Sequence, residues 1–182
     1  MGFHWGSGDA PFPLDCLRAN DQRPLDDTKN NAAPSRLRRE EEWMTISGGC
    51  LCGAVRYTTL AEPITTRLCW CRVCQFLATG NAAVSVCFPS AGMSITGELR
   101  DFVSIADSGN RMHRRFCPVC GTHMFSEAEA RPHLIFVRAG TLDNTEIARP
   151  AATIWTARAP SWAYIDDGLP QWQGQPPPPS QL

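Results

Sequence analysis

The stretch RRFCPVCGTH, residues 114–123, sets two cysteines two residues apart with proline and glycine beside them. A C-x-x-C turn lets two thiolates converge on one ion; Pro118 stiffens that turn, and Gly121 permits the backbone conformation that follows it. By its chemistry the unit is a zinc knuckle. It is also half a site, because a closed tetrahedral zinc takes four ligands. Whatever supplies the second pair lies far away in the chain, so the knuckle staples distant segments together. GGCLCGAV, residues 48–55, offers Cys50 and Cys52 between glycines. RLCWCRVCQF, residues 67–76, offers Cys69, Cys71 and Cys74, three ligands where a closed site needs four.

Around these motifs the chain has 182 residues, a formal charge of −1 and nine cysteines. Seven of the nine fall in C-x-C or C-x-x-C units. With no signal-peptide-like start and no apolar run near the ~20 residues that span a bilayer, such spacings favour metal over a disulfide framework. The near-zero charge gives no bulk attraction to nucleic acid or anionic membrane, so neither is expected as a partner. Lysine occurs once, at Lys29, with arginine elsewhere, which fits a GC-rich bacterial genome. The expectation is a soluble, cytoplasmic metalloprotein.

Residues 1–44, rich in Pro, Asn and mixed charge, lack an apolar period and are expected to be a disordered extension, with Met44 a candidate start residue. The prolines of 173–182 predict an extended tail. Between them, residues 45–172 form the domain. Short β-branched or aromatic runs predict strands at 54–59, 82–88, 101–106, 111–116, 122–126, 133–140 and 152–157, separated by Gly, Pro, Asn or Asp. Only residues 72–78 suggest a helical turn. The fold class is mainly β with little helix.

The ordered set GGCLCGAVRY, CWCRVC, RRFCPVCGTHMF and IWTARAPSW resembles the glutathione-dependent formaldehyde-activating enzyme family, which also contains the centromere protein V group. The likeness spans about residues 46–172 and implies zinc-stapled antiparallel sheets in a tent-like arrangement. It implies a closed structural zinc on Cys50, Cys52, Cys117 and Cys120, and a second, catalytic zinc on Cys69, Cys71 and Cys74, hence two Zn2+ per chain. The implied activity is a carbon–sulfur lyase reaction, the reversible addition of glutathione to formaldehyde. One motif departs: the family usually reads C-H-C-x-x-C-R, whereas Trp70 and Gln75 stand here for the histidine and the arginine.

The ligand set leads to the same chemistry. Three thiolates on a zinc dication leave a net charge of −1, a poor Lewis acid for activating water. A soft, sulfur-rich metal suits an incoming thiol, which would meet an aldehyde carbon held beside it. Small thiol and aldehyde substrates are therefore expected, glutathione or another thiol. Candidate binding residues are Trp70, Arg72 and Trp155, with Arg67, Arg111, Arg114, Arg115 and Trp162 as further cations and walls. A fourth protein ligand from His113, His123, His133, Cys87 or Cys16 would instead close the second site. The alternative function is a non-catalytic zinc-stapled binding module. An iron–sulfur protein fits the C-x-C spacing less well.

Overall fold

The computed structural model describes residues 45–177. The extension read at 1–44, with Cys16, and residues 178–182 lie outside the described residues. A three-stranded antiparallel sheet contains β1 (Ile46–Gly49), β2 (Arg56–Thr59) and β5 (Ser94–Thr96), in the order β1-β2-β5. The larger sheet has eight strands. In chain order they are β3 (Thr65–Cys69), β4 (Ala83–Pro89), β6 (Arg100–Ile105), β7 (Arg111–Phe116), β8 (His123–Ala128), β9 (Leu134–Arg138), β10 (Ala152–Ile154) and β11 (Gln171–Trp172). Their spatial order is β11-β10-β3-β4-β9-β8-β7-β6, antiparallel except where β10 pairs with β3 and β11. One α-helix, α1 (Arg72–Leu77), follows β3, so the fold is mainly β with little helix, as its alternating sequence predicts.

Alternation along the central strands assigns the two faces of the large sheet different work. Val86, Val137 and Phe125 are successive register partners on β4, β9 and β8, and each is fully buried. They meet Val55 and Tyr57 of the smaller layer, where the Tyr57 and Phe125 rings cross edge-to-face at 5.2 Å. Burying side chains of this size contributes about 1.5–3 kcal/mol each. The next residues in register, Cys87, Phe136, Ser126 and Arg114, point to the opposite face. Ser126 and Arg114, polar and buried on the inner strands of a sheet, mark a face built for something other than core.

The segment after β9 ties the two layers. Gly48 bridges Leu142, the Asp143 N–H donates to the Ser47 carbonyl at 3.0 Å, and the Tyr57 hydroxyl meets Thr141 Oγ1 at 3.0 Å. Asp143 also accepts hydrogen bonds from Ser47 and Arg56. This closeness explains Gly48: a Cβ there would lie 2.2 Å from both the Thr141 carbonyl and the Tyr57 hydroxyl. Neither neighbour is a flexible chain end. Gly48→Ala is expected to cost about 3 kcal/mol, read as a fall in the urea midpoint with an unchanged slope.

Among the boundaries that differ from the sequence expectation, two shape the end of the domain. The strand predicted to reach 157 ends at Ile154, because Trp155 takes a left-handed conformation (φ 61°) that turns the chain into a 3₁₀ turn over Thr156–Arg158. At the other end, the chain expected to become a loose tail at 173 packs on to 176. The Trp155 N–H donates to the Gly174 carbonyl, the Trp155 indole N–H donates to Gln175, and Pro176 is buried.

Candidate metal centres and the adjoining cleft

Cys50 and Cys52 lie in the β1–β2 connection, and Cys117 and Cys120 in the β7–β8 connection. Gly53 (φ +76°) and Gly121 (φ +72°) take the left-handed conformation that lets each loop double back. The Gly53 N–H donates to the Cys50 carbonyl and the Gly121 N–H to the Cys117 carbonyl, so each loop is a hydrogen-bonded turn carrying two thiols. The Thr122 hydroxyl joins the loops, accepting from the Leu51 N–H at 3.2 Å and meeting Cys120 Sγ at 3.1 Å. All four sulfurs lie within 4.8 Å of one another. A tetrahedral zinc with bonds near 2.3 Å separates its sulfurs by roughly 3.8 Å. The Cys50–Cys52 and Cys52–Cys117 separations are 3.5 and 3.8 Å, which fit such an ion. The Val55 N–H donates to Cys50 Sγ at 3.2 Å, a bond that favours thiolate.

The second cluster forms where β3 runs into α1. Cys69 ends the strand, Cys71 is the helix N-cap, and Cys74 lies in the first turn, with its own N–H donating to Cys71 Sγ at 3.4 Å. Their sulfurs also converge within 4.8 Å, and no fourth His, Cys, Asp or Glu of the described residues joins the group. The electrostatics show what the cluster lacks by itself. Hydrogen bonds from Cys69 and Cys74 pull the Cys71 thiol down to about 2, while the same contacts and burial drive Cys69 far upward. One thiolate is tolerated there and three are not, so holding all three ionised takes a cation. Both clusters could bind metal, and their all-sulfur donor sets suit zinc.

The second cluster opens onto a cleft of about 870 Å³ on the sheet face opposite the core. Arg67, Arg114, Arg131 and Arg138 line it together with Cys87, Phe136 and Trp155, and Asp107 is its one acidic residue among those described. Asp107 comes from the β6–β7 turn and accepts the Arg72 N–H at 3.3 Å, clipping that turn to the start of α1. Arg138 donates to His123 Nδ1 (2.8 Å) and to the hydroxyls of Ser85 (2.5 Å) and Ser126 (2.9 Å). Arg114 is buried and donates to the Ser104 hydroxyl.

Several residues singled out from sequence stand elsewhere. Trp70 is 3% exposed and does not border the cleft: it packs edge-on against Trp162 at 6.5 Å, behind the ligand loop. Its position between two ligands constrains its backbone and leaves its indole free to turn into the interior. Arg72 is also absent from the lining; its guanidinium lies over the Phe76 ring and donates to Gln75. Gln75 is buried, with its amide donating to the carbonyls of Trp70 and Arg158, so it fastens the loop where the usual motif carries arginine. Trp155, Arg67 and Arg114 do line the cleft, whereas Arg111 and Arg115 pair with Glu129 and Glu127. His113 is held by Asp101 and Glu129. Arg131 and Arg138 were missed, although an arginine closing the apolar run HLIFVR, at the position facing away from the core, was a usable signal.

His123, weighed as a neighbour of the knuckle or a fourth ligand, instead contacts Arg138. Burial and the charges of Arg138 and Arg114 bring its imidazole down to about 3, so it is neutral when folded. The unfolded chain takes up that proton near pH 6.5, so this contribution is complete above 6.5 and is lost as pH falls toward 3. Between pH 7 and 5.5 the folded protein should lose about 1.2 kcal/mol through His123. His123→Asn keeps an acceptor near Nδ1 but cannot protonate, so urea melts at the two pH values should show that loss in the wild type and not in the variant.

A family sequence model described as "Glutathione-dependent formaldehyde-activating enzyme" matches residues 45–158. No curated protein matches the chain. Among solved structures, the crystal structure of a Rhodobacter sphaeroides protein is similar, with TM-score 0.45 and 16% identity, covering 69% of this chain and 98% of that one.

Proposed function

Since the chain belongs to the glutathione-dependent formaldehyde-activating enzyme family, we propose that it is a zinc-dependent carbon–sulfur lyase that adds a small thiol to formaldehyde or a similar aldehyde, or removes it. The observation carrying this reading is the second cluster, whose three thiols converge at the wall of a cleft. Cys50, Cys52, Cys117 and Cys120 would hold a structural zinc and Cys69, Cys71 and Cys74 a catalytic one. A zinc ion on the second cluster would supply a soft cation that favours the thiolate form of a substrate.

The chain's own groups supply binding and orientation. Arg114 and Arg138 hold positive charge beside the cluster, where it offsets the thiolates and attracts anionic groups of the substrate. Trp155 walls the cleft, held by its indole N–H bond to Gln175, and limits the water that reaches the reacting carbon. The thiol sulfur bonds to the aldehyde carbon, the thiol proton leaves, and the carbonyl oxygen gains a proton to become hydroxyl. The reverse reaction returns both substrates. We further propose a cytoplasmic setting, whose reducing poise keeps these thiols free.

The test is formaldehyde consumption by the zinc-loaded full chain, screened across several small thiols. The expected result is thiol-dependent loss of formaldehyde above the protein-free rate. A rate that no thiol raises above that background would overturn the enzyme and leave a zinc-stapled binding module.

A further inference from the structure

Arginine in a protein interior is ordinarily paired with carboxylate, because an isolated buried charge is costly. The cleft breaks that habit outright at buried Arg114 and in part at half-buried Arg67, Arg131 and Arg138. Among the described residues, Arg67, Arg114, Arg131 and Arg138 form no ion pair, although six other arginine or histidine contacts to acids are present on the same domain. Arg138 spends its donors on a neutral imidazole and two hydroxyls. Arg114 has one hydroxyl, and Arg67 has no side-chain hydrogen bond among the described residues. Charge kept under those conditions is available to a ligand.

The four guanidinium groups divide into two pairs. Arg114 and Arg138 line the cleft with Cys71 and Cys74 and meet at Ser126, the register partner of Arg114 and a hydrogen-bond acceptor of Arg138. Arg67 and Arg131 lie further along the same lining: Arg67 stands opposite Ser85, two residues from Cys87, and the Arg131 guanidinium is 6.0 Å from the ring of Phe136, the register partner of Cys87. Arg67 lies two residues before Cys69 on β3, roughly 7 Å along the strand. Four positive charges face one carboxylate, Asp107, and that carboxylate already accepts the Arg72 N–H. A dication on three thiolates would subtract one more, leaving a cleft with two positive charges to be met. The remaining wall mixes the hydroxyls of Ser85, Ser108 and Ser126 with the apolar side chains of Met112, Phe136, Ile154 and Trp155. Asp107 is the one described carboxylate of the cleft that could meet an ammonium, one of its oxygens is held by the Arg72 N–H, and four guanidinium groups outnumber it.

We propose that the thiol substrate is a compact dianion, a thiol bearing two carboxylate-like groups and no ammonium, with Arg67 and Arg131 recognising the anionic groups and the sulfur directed to Cys69, Cys71 and Cys74. This rests on the thiol-dependent reading above and narrows its substrate class away from zwitterionic thiols such as glutathione. Bidentate guanidinium–carboxylate pairing explains why arginine, rather than a diffuse positive surface, is used.

The probe is mercaptosuccinate, which has two carboxylates and no ammonium, compared with glutathione, cysteamine and 2-mercaptoethanol. Calorimetry on the zinc-loaded full chain gives the affinities, and the visible spectrum of the cobalt-loaded chain reports sulfur arriving at the second cluster. Mercaptosuccinate should bind at least tenfold more tightly than 2-mercaptoethanol and more tightly than glutathione, with the advantage shrinking as salt rises. Arg67→Gln should collapse the ratio of those affinities toward one. Arg131→Gln should do the same, providing a second variant if the first does not fold. Glutathione or cysteamine binding as tightly as mercaptosuccinate would overturn the inference, as would a ratio that survives both substitutions. If all four thiols shift the cobalt spectrum with equal affinity, this inference fails while the thiol-dependent reading stands. If none does, both fail.

Discussion

Cys117→Ser is expected to leave the domain without a stable fold. Cys117 has no exposed surface and packs in the core with Val55 and Phe125, while its sulfur sits 3.8 Å from that of Cys52, 65 residues away in sequence. If the four-cysteine cluster is a closed zinc staple, its binding free energy is part of the folding free energy, about 10 kcal/mol in small zinc domains. Domains are stable by only about 5–15 kcal/mol in total, so losing one ligand removes most or all of the margin. The β1–β2 and β7–β8 connections would then keep only lesser ties, such as the Thr122 bonds. Near-ultraviolet circular dichroism should show the native signal lost in the variant, and a strong chelator should do the same to the wild type, which separates metal loss from the cost of burying a hydroxyl. A variant that unfolds cooperatively within a few degrees of the wild type would show that the staple carries little of the fold.

How much of this was legible in the sequence depends on whether the signal was local. Alternating β-branched runs exposed β2, β4, β6, β7, β8, β9 and the start of β10 because side-chain period and burial coincide there. β1 was hidden by its own glycines: Gly48 exists for the approach of Thr141 and Tyr57, a tertiary demand that looks like a turn when only neighbours are seen. β3 was masked by its cysteine, since TTRLC reads first as the approach to a metal motif. The two-residue β11 has too little pattern to read. Both cysteine clusters were visible from spacing and resemblance, and their sulfurs do converge as grouped. Side-chain direction was not visible. Trp70 and Arg72 stand beside ligands in sequence yet turn away from the cleft, whereas Arg131 arrives from the β8–β9 connection and Arg138 from β9, more than fifty residues later. Adjacency along a chain fixes distance between backbones; only packing decides which side chains share a cavity.

Cys71→Ser is expected to do the opposite of Cys117→Ser: the fold survives and the second metal is lost. Cys71 caps α1, with its sulfur accepting the Cys74 N–H at 3.4 Å. Serine is among the preferred N-cap residues, so the substituted hydroxyl can take over that bond and the helix keeps its start. The loop is also secured independently of the thiols, by Gln75 to the carbonyls of Trp70 and Arg158, by the Trp70 N–H to Ile154, and by Asp107 to the Arg72 N–H. None of these needs a metal. The core lies on the other face of the large sheet, so losing charge at the cleft should not propagate into it. Two of three thiols are a poor zinc site, and a hard serine hydroxyl does not replace the third. Metal analysis should fall from two ions to one per chain, thiol-dependent formaldehyde consumption should drop to the protein-free rate, and the urea midpoint should shift only modestly. If Cys71→Ser unfolds as Cys117→Ser does, the two clusters form one structural unit, and the division between a stapled core and an open reactive face is wrong.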